Sequence, residues 1–224
     1  MQITPTNKKA LFWLSGAHFV NDIYTGMLNP IMPFVAAKIG ISMAIATVIL
    51  TVSHVFSSLL QPIFGFFADN IVKRAFIFWG LIFSSVFIPL SVVSEHIWLL
   101  ILFIALGSIG SSLFHPQALG FIPKFATKSS SAKSMSIFLA MGTLGYSFGP
   151  VISGSITQFA GMHKMPIITI IGAIWVSLMF IMVPQISSCN NLKKTLDFNV
   201  AFRKILTNHK LNILNIIAML KTMV

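Results

Sequence analysis

Six stretches of this chain are apolar over lengths that match the thickness of a lipid bilayer. They run over about 10–37, 43–67, 75–93, 97–122, 134–159 and 167–183, and a helix needs roughly 20 apolar residues to cross the hydrocarbon layer. With 56% of its 224 residues hydrophobic and 8% charged, the chain would precipitate as a soluble domain. That balance marks a polytopic membrane protein. The expected fold is all-α: a six-helix transmembrane bundle over 1–184, a basic loop over 185–210, and the start of a seventh helix over 211–224. The seventh stretch reaches Val224 after 14 residues, too few to cross.

A formal net charge of +11 raises the question of nucleic acid, but the basic residues are dispersed through the loops and form no patch with interleaved aromatics. They encode orientation instead. Lys8 and Lys9, then Lys73 and Arg74, then Lys124, Lys128 and Lys133, and finally Lys193, Lys194, Arg203, Lys204 and Lys210 fall on one side. The intervening loops hold only Lys38 and Lys164. The positive-inside rule then predicts a cytoplasmic N-terminus in a multi-pass protein of a bacterial-type inner membrane. The first apolar stretch is too long for a signal peptide and no small-residue cleavage site follows it, so it is expected to stay. The single Cys189 falls in the predicted cytoplasmic loop, which excludes an internal disulfide. No metal site is expected.

Asp22 lies in the middle of the first stretch. Of the other acidic residues, Asp69, Glu95 and Asp197 all fall between apolar stretches. A carboxylate at the bilayer centre costs about 2.5 to 3.5 kcal/mol on insertion scales, so it asks for a functional reason. At 100° per residue, His18, Asn21, Asp22, Thr25 and Asn29 occupy an arc of roughly 100°. Similar stripes recur in the second helix (Thr47, Thr51, His54, Ser58, Gln61) and in the fourth (Ser108, Ser111, Ser112, His115). Hydroxyls and amides at such positions serve helix packing at about 0.6 kcal/mol each. A carboxylate with a histidine four residues before it differs, because the pair can hold and release a proton near physiological pH. His115 precedes Pro116, whose missing N–H loosens the turn around the imidazole. The fifth helix carries Gly142, Gly145, Gly149 and Ser153 along one narrow face, a small-residue surface that lets another helix come close.

Several motifs add a resemblance. The segment Gly65-Phe-Phe-Ala-Asp69-Asn-Ile-Val-Lys73-Arg74 resembles the signature loop of the major facilitator superfamily, with Asn70 and Val72 in place of the usual basic residue and glycine. Gly145-Tyr-Ser-Phe-Gly149-Pro150-Val-Ile-Ser-Gly154 resembles that superfamily's antiporter motif, with Ser153 replacing a glycine. His18-Phe-Val-Asn21-Asp22, Ser57-Ser-Leu-Leu-Gln61-Pro62 and Gly107-Ser-Ile-Gly110-Ser-Ser-Leu-Phe114-His115-Pro116 are together similar to the fosmidomycin-resistance type of efflux protein. That type usually has Glu where this chain has Gln117, which removes a second titratable carboxylate. Gln117 lies about 160° from His115 on the helical wheel.

The resemblance implies the N-terminal six-helix half of a twelve-helix fold, with substrate bound near the midplane between two rocking halves. It implies proton-coupled antiport of a small drug-like molecule or metabolite, powered by the proton gradient without a cofactor. Asp22 would carry the proton, tuned by His18 and His115, and Asn21, Asn29, His54 and Gln61 would line the substrate path. Gly65, Asp69, Lys73 and Arg74 would form the gating loop. The glycine face of the fifth helix and that loop would contact the missing half. The expected partners are the bilayer, a small-molecule substrate, and a complementary C-terminal half or second copy; no nucleic acid is expected. Two alternatives stay open: a truncated, inactive remnant, and an uptake transporter of the same fold. An intramembrane enzyme is not expected, since no His-Glu-x-x-His, Gly-x-Ser-x-Gly or helix-borne cysteine supplies a metal or nucleophile.

Overall fold

The computed structural model describes residues 6–70 and 74–184, with a few isolated positions from 200 onward. The side chain of Asp69, residue Lys73, most of the basic loop including Cys189, and most of the expected seventh helix lie outside the described residues. The described chain is helical throughout: α1 Lys8–Ile39, α2 Met43–Asn70, α3 Ala75–Leu90, α4 Ile97–Phe125, α5 Ser131–Phe159 and α6 Thr169–Met182. Short 3₁₀ segments, Ser91–Val93 and Met162–Ile168, close α3 and open α6. Among the described residues there is no strand.

Local chemistry sets the ends of α1. Asn7 caps its start, accepting from the Ala10 backbone N–H at 3.0 Å, which satisfies one of the donors a helix leaves free. Gly40 closes it in the left-handed region at φ 74° and returns its N–H to the Ala36 carbonyl, a conformation that glycine adopts without a Cβ penalty. Prolines lie inside all of α1 to α5. Intramembrane helices tolerate them because neighbours satisfy the freed carbonyls.

Among the described residues, five stretches are long and apolar enough to cross a membrane: Met43–Phe67, Ala75–Val93, Ile97–Phe125, Ser131–Phe159 and Met162–Met182. The expectation was six. The exception is α1, which has ample length at 32 residues but carries the Asp22 stripe. Its place in the bundle resolves the conflict, because α1 contacts every other helix, burying His18 and Asn21 and turning Asp22 and Thr25 to cavities.

The seam between α1 and α5 is the most extensive helix pair, and it corrects one expectation. The small-residue face of α5 does not wait for an absent half; Gly142, Gly145, Gly149 and Ser153 are buried within this bundle. A Cβ on Gly145 would stand 2.1 Å from the Phe19 carbonyl oxygen, and one on Gly149 would stand 2.8 Å from the Cα of Gly26. The two backbones therefore meet with no room for a side chain, as small-residue packing in lipid requires. Gly154, at the end of the motif, faces open space, and Pro150 is exposed.

Tyr24 ties α1 to α6. Its hydroxyl donates to the Ile168 carbonyl at 2.8 Å and accepts from the Gly172 N–H at 2.9 Å. These two backbone groups stand four residues apart, so the hydroxyl sits where the helix would otherwise bond to itself. The 3₁₀ entry to α6, not foreseen from the apolar run, coincides with this insertion.

Candidate functional site

Asp22 is clamped between two imidazoles. His18 Nε2, one turn earlier on α1, lies 3.2 Å from Asp22 Oδ2, and His115 Nε2, on α4, lies 3.2 Å from Oδ1. Side-chain exposure is 5% for His18, 13% for Asp22 and 23% for His115, so the cluster is largely shielded yet open on the α4 side.

The opposite nitrogen of each ring is also fixed. His18 Nδ1 is 2.8 Å from the Phe138 carbonyl oxygen, and His115 Nδ1 is 2.8 Å from the Ser111 carbonyl oxygen, with Ser111 Oγ at 3.2 Å. A carbonyl oxygen only accepts, so both Nδ1 atoms carry the proton. Each Nε2–carboxylate contact is then a hydrogen bond only while a proton occupies it, on nitrogen or on oxygen. The cluster thus has two proton positions that share one carboxylate, and emptying either sets lone pair against lone pair. His18 is further held by Phe138, stacked at 4.1 Å between ring centroids, and by the edge of His115 at 5.1 Å. Gly142 makes this possible, since a Cβ there would fall 2.4 Å from His18 Nε2 and 2.8 Å from Asp22 Oδ2.

Asn21 was expected along the substrate path, and the structure places it elsewhere. It is fully buried, lines neither cavity, and donates to Asp22 Oδ1 at 2.9 Å and to Ser111 Oγ at 3.5 Å while accepting from Ser84 Oγ at 2.7 Å. At one residue from Asp22 it points about 100° away around the helix, which carries it into the junction with α3 and α4.

Two cavities flank the cluster. One, of about 280 Å³, is walled by Asp22 and Thr25 of α1, His54, Ser57, Ser58 and Gln61 of α2, and Ser108, Ser111 and His115 of α4, with Leu28, Ile88 and Tyr146. The other, of about 380 Å³, is lined by His18, Asp22, His115, Leu119, Leu139, Thr143 and Tyr146. Asp22, His115 and Tyr146 belong to both and form the partition between them. His54 and Gln61 face the first cavity as the stripe on α2 implied. Asn29 lines neither, but its side-chain N–H donates to the Tyr146 hydroxyl at 3.3 Å.

Sequence reasoning missed Tyr146, Ser57 and Ser84. Tyr146 sits between the glycines of the α5 motif, and that adjacency was the available signal. Ser57 and Ser112 clasp α2 to α4 with their hydroxyls 2.7 Å apart. Gln117 is buried on the far side of α4 from the cavities, as its angle predicted.

The expected gating loop is corrected in part: α2 runs on to Asn70, so Gly65 and Asp69 are helical, and Gly65 lies over Pro116, with 3.6 Å from a built Cβ to the proline Cβ. Arg74 donates to the carbonyls of Phe180 (3.3 Å) and Val183, and its guanidinium lies 4.9 Å from the Phe180 ring centre. It caps the C-terminal end of α6, where a cation meets the negative end of the helix. Among the described residues, His18, Asp22 and His115 are the group whose ligand atoms, all within 4.8 Å of one another, could hold a metal ion.

Residues 14–223 match the family model of the Major Facilitator Superfamily. The chain belongs to that superfamily. Within the superfamily it is 26% identical to the Fosmidomycin resistance protein of Escherichia coli (strain K12) over 155 residues, covering 67% of this chain and 38% of that protein. It is 25% identical to the Quinolone resistance protein NorA of Staphylococcus aureus over 158 residues, covering 70% of this chain and 40% of the relative. The matched region thus spans about two-fifths of each relative. The Major Facilitator Superfamily is a family of transporters, and membership in it together with the long apolar helices makes the chain a multi-pass membrane protein.

Proposed function

We propose that the chain forms half of a proton-coupled antiporter that exports a small drug-like molecule or metabolite. Asp22 holds the exchanged proton, and His18 and His115 share it. The single observation that carries this reading is the buried carboxylate gripped by two carbonyl-oriented imidazoles at the partition between two cavities. A group in that position reaches both cavities, and its hydrogen bonds depend on its proton load. Intramembrane ionisable residues facing a cavity are the usual carriers of such coupling.

His54, Gln61 and Tyr146 line the substrate path, and Asn29 orients Tyr146. Asn21 positions the carboxylate. Gly65 and Asp69 near the end of α2, with Lys73 and Arg74 beyond it, form the gating segment, with Arg74 anchored on α6. Gly145 and Gly149 place α5 against α1, and Pro150 and Gly154 continue the motif on the exposed side of α5. The proton gradient supplies the energy and no cofactor takes part. Export, not uptake, is supported by the antiporter-like motif on α5 and by two relatives named for drug resistance. Alternating access in this superfamily needs two halves, so the transporting unit contains a complementary half or a second copy. The loops rich in Lys and Arg lie on the cytoplasmic side of a bacterial inner membrane.

The test is transport of fosmidomycin and of a fluorescent quinolone in proteoliposomes carrying the chain with a complementary superfamily half. An imposed pH gradient should drive uphill flux, and Asp22→Asn should reduce it to the protein-free background while membrane insertion is unchanged. Wild-type flux in Asp22→Asn would sink the assignment.

A further inference from the structure

The geometry points to a second ligand for the same cluster: we propose that His18, Asp22 and His115 bind a divalent transition-metal ion of zinc's class, and that the bound ion fixes the partition between the cavities and blocks transport. The binding claim stands on the structure alone, whereas the blocking claim rests on the transport reading.

The donor set comes first. Two imidazole nitrogens and one carboxylate suit zinc, cobalt, nickel or ferrous ion and do not suit magnesium or calcium, which take oxygen ligands. Orientation is the second point. A metal-bound imidazole almost always donates its other N–H to a carbonyl or carboxylate, which fixes tautomer and ring direction. Both rings already have that partner, Phe138 O for His18 and Ser111 O for His115, each at 2.8 Å, and both turn Nε2 to the same carboxylate.

Spacing is the third point. With metal–nitrogen and metal–oxygen bonds of about 2.0 to 2.2 Å, neighbouring donors around a tetrahedral ion stand roughly 3.3 to 3.5 Å apart. Both Nε2–carboxylate separations are 3.2 Å, and all three donors lie within 4.8 Å of one another, within reach of small ring rotations. The fourth coordination position opens on a cavity, where water completes the shell. Neither lining includes a Lys or Arg that would repel the ion. Ion and protons need the same nitrogen and oxygen lone pairs, so they exclude each other.

The experiment uses the purified chain in detergent, titrated first with Co²⁺ and then with Zn²⁺. One cobalt ion per chain should bind with the intense visible bands of a low-coordinate nitrogen-ligated site, and zinc should displace it. His18→Gln, His115→Gln and Asp22→Asn should each weaken binding by more than the roughly 10- to 100-fold that loss of an outer partner costs. His96→Gln and His163→Gln, which change histidines outside both cavities, should leave it unchanged. Zinc X-ray absorption on the unmutated chain should count two imidazoles, so the claim stays testable if a variant fails to fold. Absence of cobalt bands, a zinc shell lacking imidazole, or a folded Asp22→Asn chain that binds as wild type would overturn the site. In proteoliposomes, zinc should abolish pH-driven flux; tight binding without that loss would overturn the blocking claim. Absence of pH-driven flux in zinc-free membranes would instead count against the transport reading, with metal binding read separately.

Discussion

Helices α1 and α2 both border the 280 Å³ cavity, yet they are held in opposite ways. More than half of α1 is buried, and its backbone touches that of α5 through glycines on both sides. Only 11% of the most apolar window of α2 is buried, and its outward side carries Val48, Val52, Val55, Leu59, Ile63 and Phe67 exposed. What joins α2 to the bundle is mainly α4, partly through a pair of serine hydroxyls. The polar cluster that carries the proposed chemistry sits on the tightly held helix, with its second histidine on α4. The cavity therefore has one wall set by backbone contact and one set by a few side chains. A proton site needs fixed donors and acceptors to sense its own load, whereas a substrate wall need only be wet.

The largest effect should come from breaking the tight wall. In Gly145→Val the new Cβ meets the Phe19 carbonyl oxygen at 2.1 Å, a backbone atom that cannot swing aside. Overpacking of this kind costs about 3 kcal/mol or more at its upper end, so the variant should lose most of its folded yield and unfold in detergent at a clearly lower temperature. An unchanged melting curve would show that the α1–α5 seam is looser than its glycines suggest.

A middle-sized effect should follow from Asn21→Ala. It takes an N–H from Asp22 and the shortest acceptor from the Ser84 hydroxyl, which keeps the Gly80 and Leu81 carbonyls at 3.1 and 3.2 Å; losing a hydrogen bond to a charged group costs about 1.5 to 3 kcal/mol. The informative readout is the pH profile of flux. Positioning predicts a displaced profile with substrate KM nearly unchanged, whereas the substrate-path role first expected for Asn21 predicts a raised KM.

The same contrast explains what could be read in the sequence. Helix placement was legible because each apolar run is close to the roughly 20 residues that a bilayer crossing takes, and the cluster was foreshadowed because Asp22 stands alone among apolar residues. The partner of the α5 glycines was not legible. A small-residue face says only that some backbone approaches; the answer lay on α1 in Phe19 and Gly26, two positions without polar character. Asn21 shared an arc with Asp22, but an arc of 100° is wide enough to span both a cavity and a buried junction. Tyr146 escaped because it sits among the small residues of the α5 motif, and its place in the partition follows from where the neighbouring glycines lock the helix.

The smallest effect should come from the loose wall, and its size tests the comparison most directly. Ser57 Oγ lies 2.7 Å from Ser112 Oγ, and Ser112 also donates to the Ser57 carbonyl at 3.0 Å. Ser57→Ala removes the first contact and leaves the second in place, so no buried donor is stranded. Hydrogen bonds between membrane helices average about 0.6 kcal/mol, and the melting temperature should fall only slightly. If α2 is the side-chain-held wall, that small loss should nonetheless appear as faster labelling of a cysteine placed at Val52 on the outward side of α2, with a matched cysteine at Phe12 on α1 unaffected. Equal changes at both positions would mean that the two walls move as one body, and the contrast between them would fail.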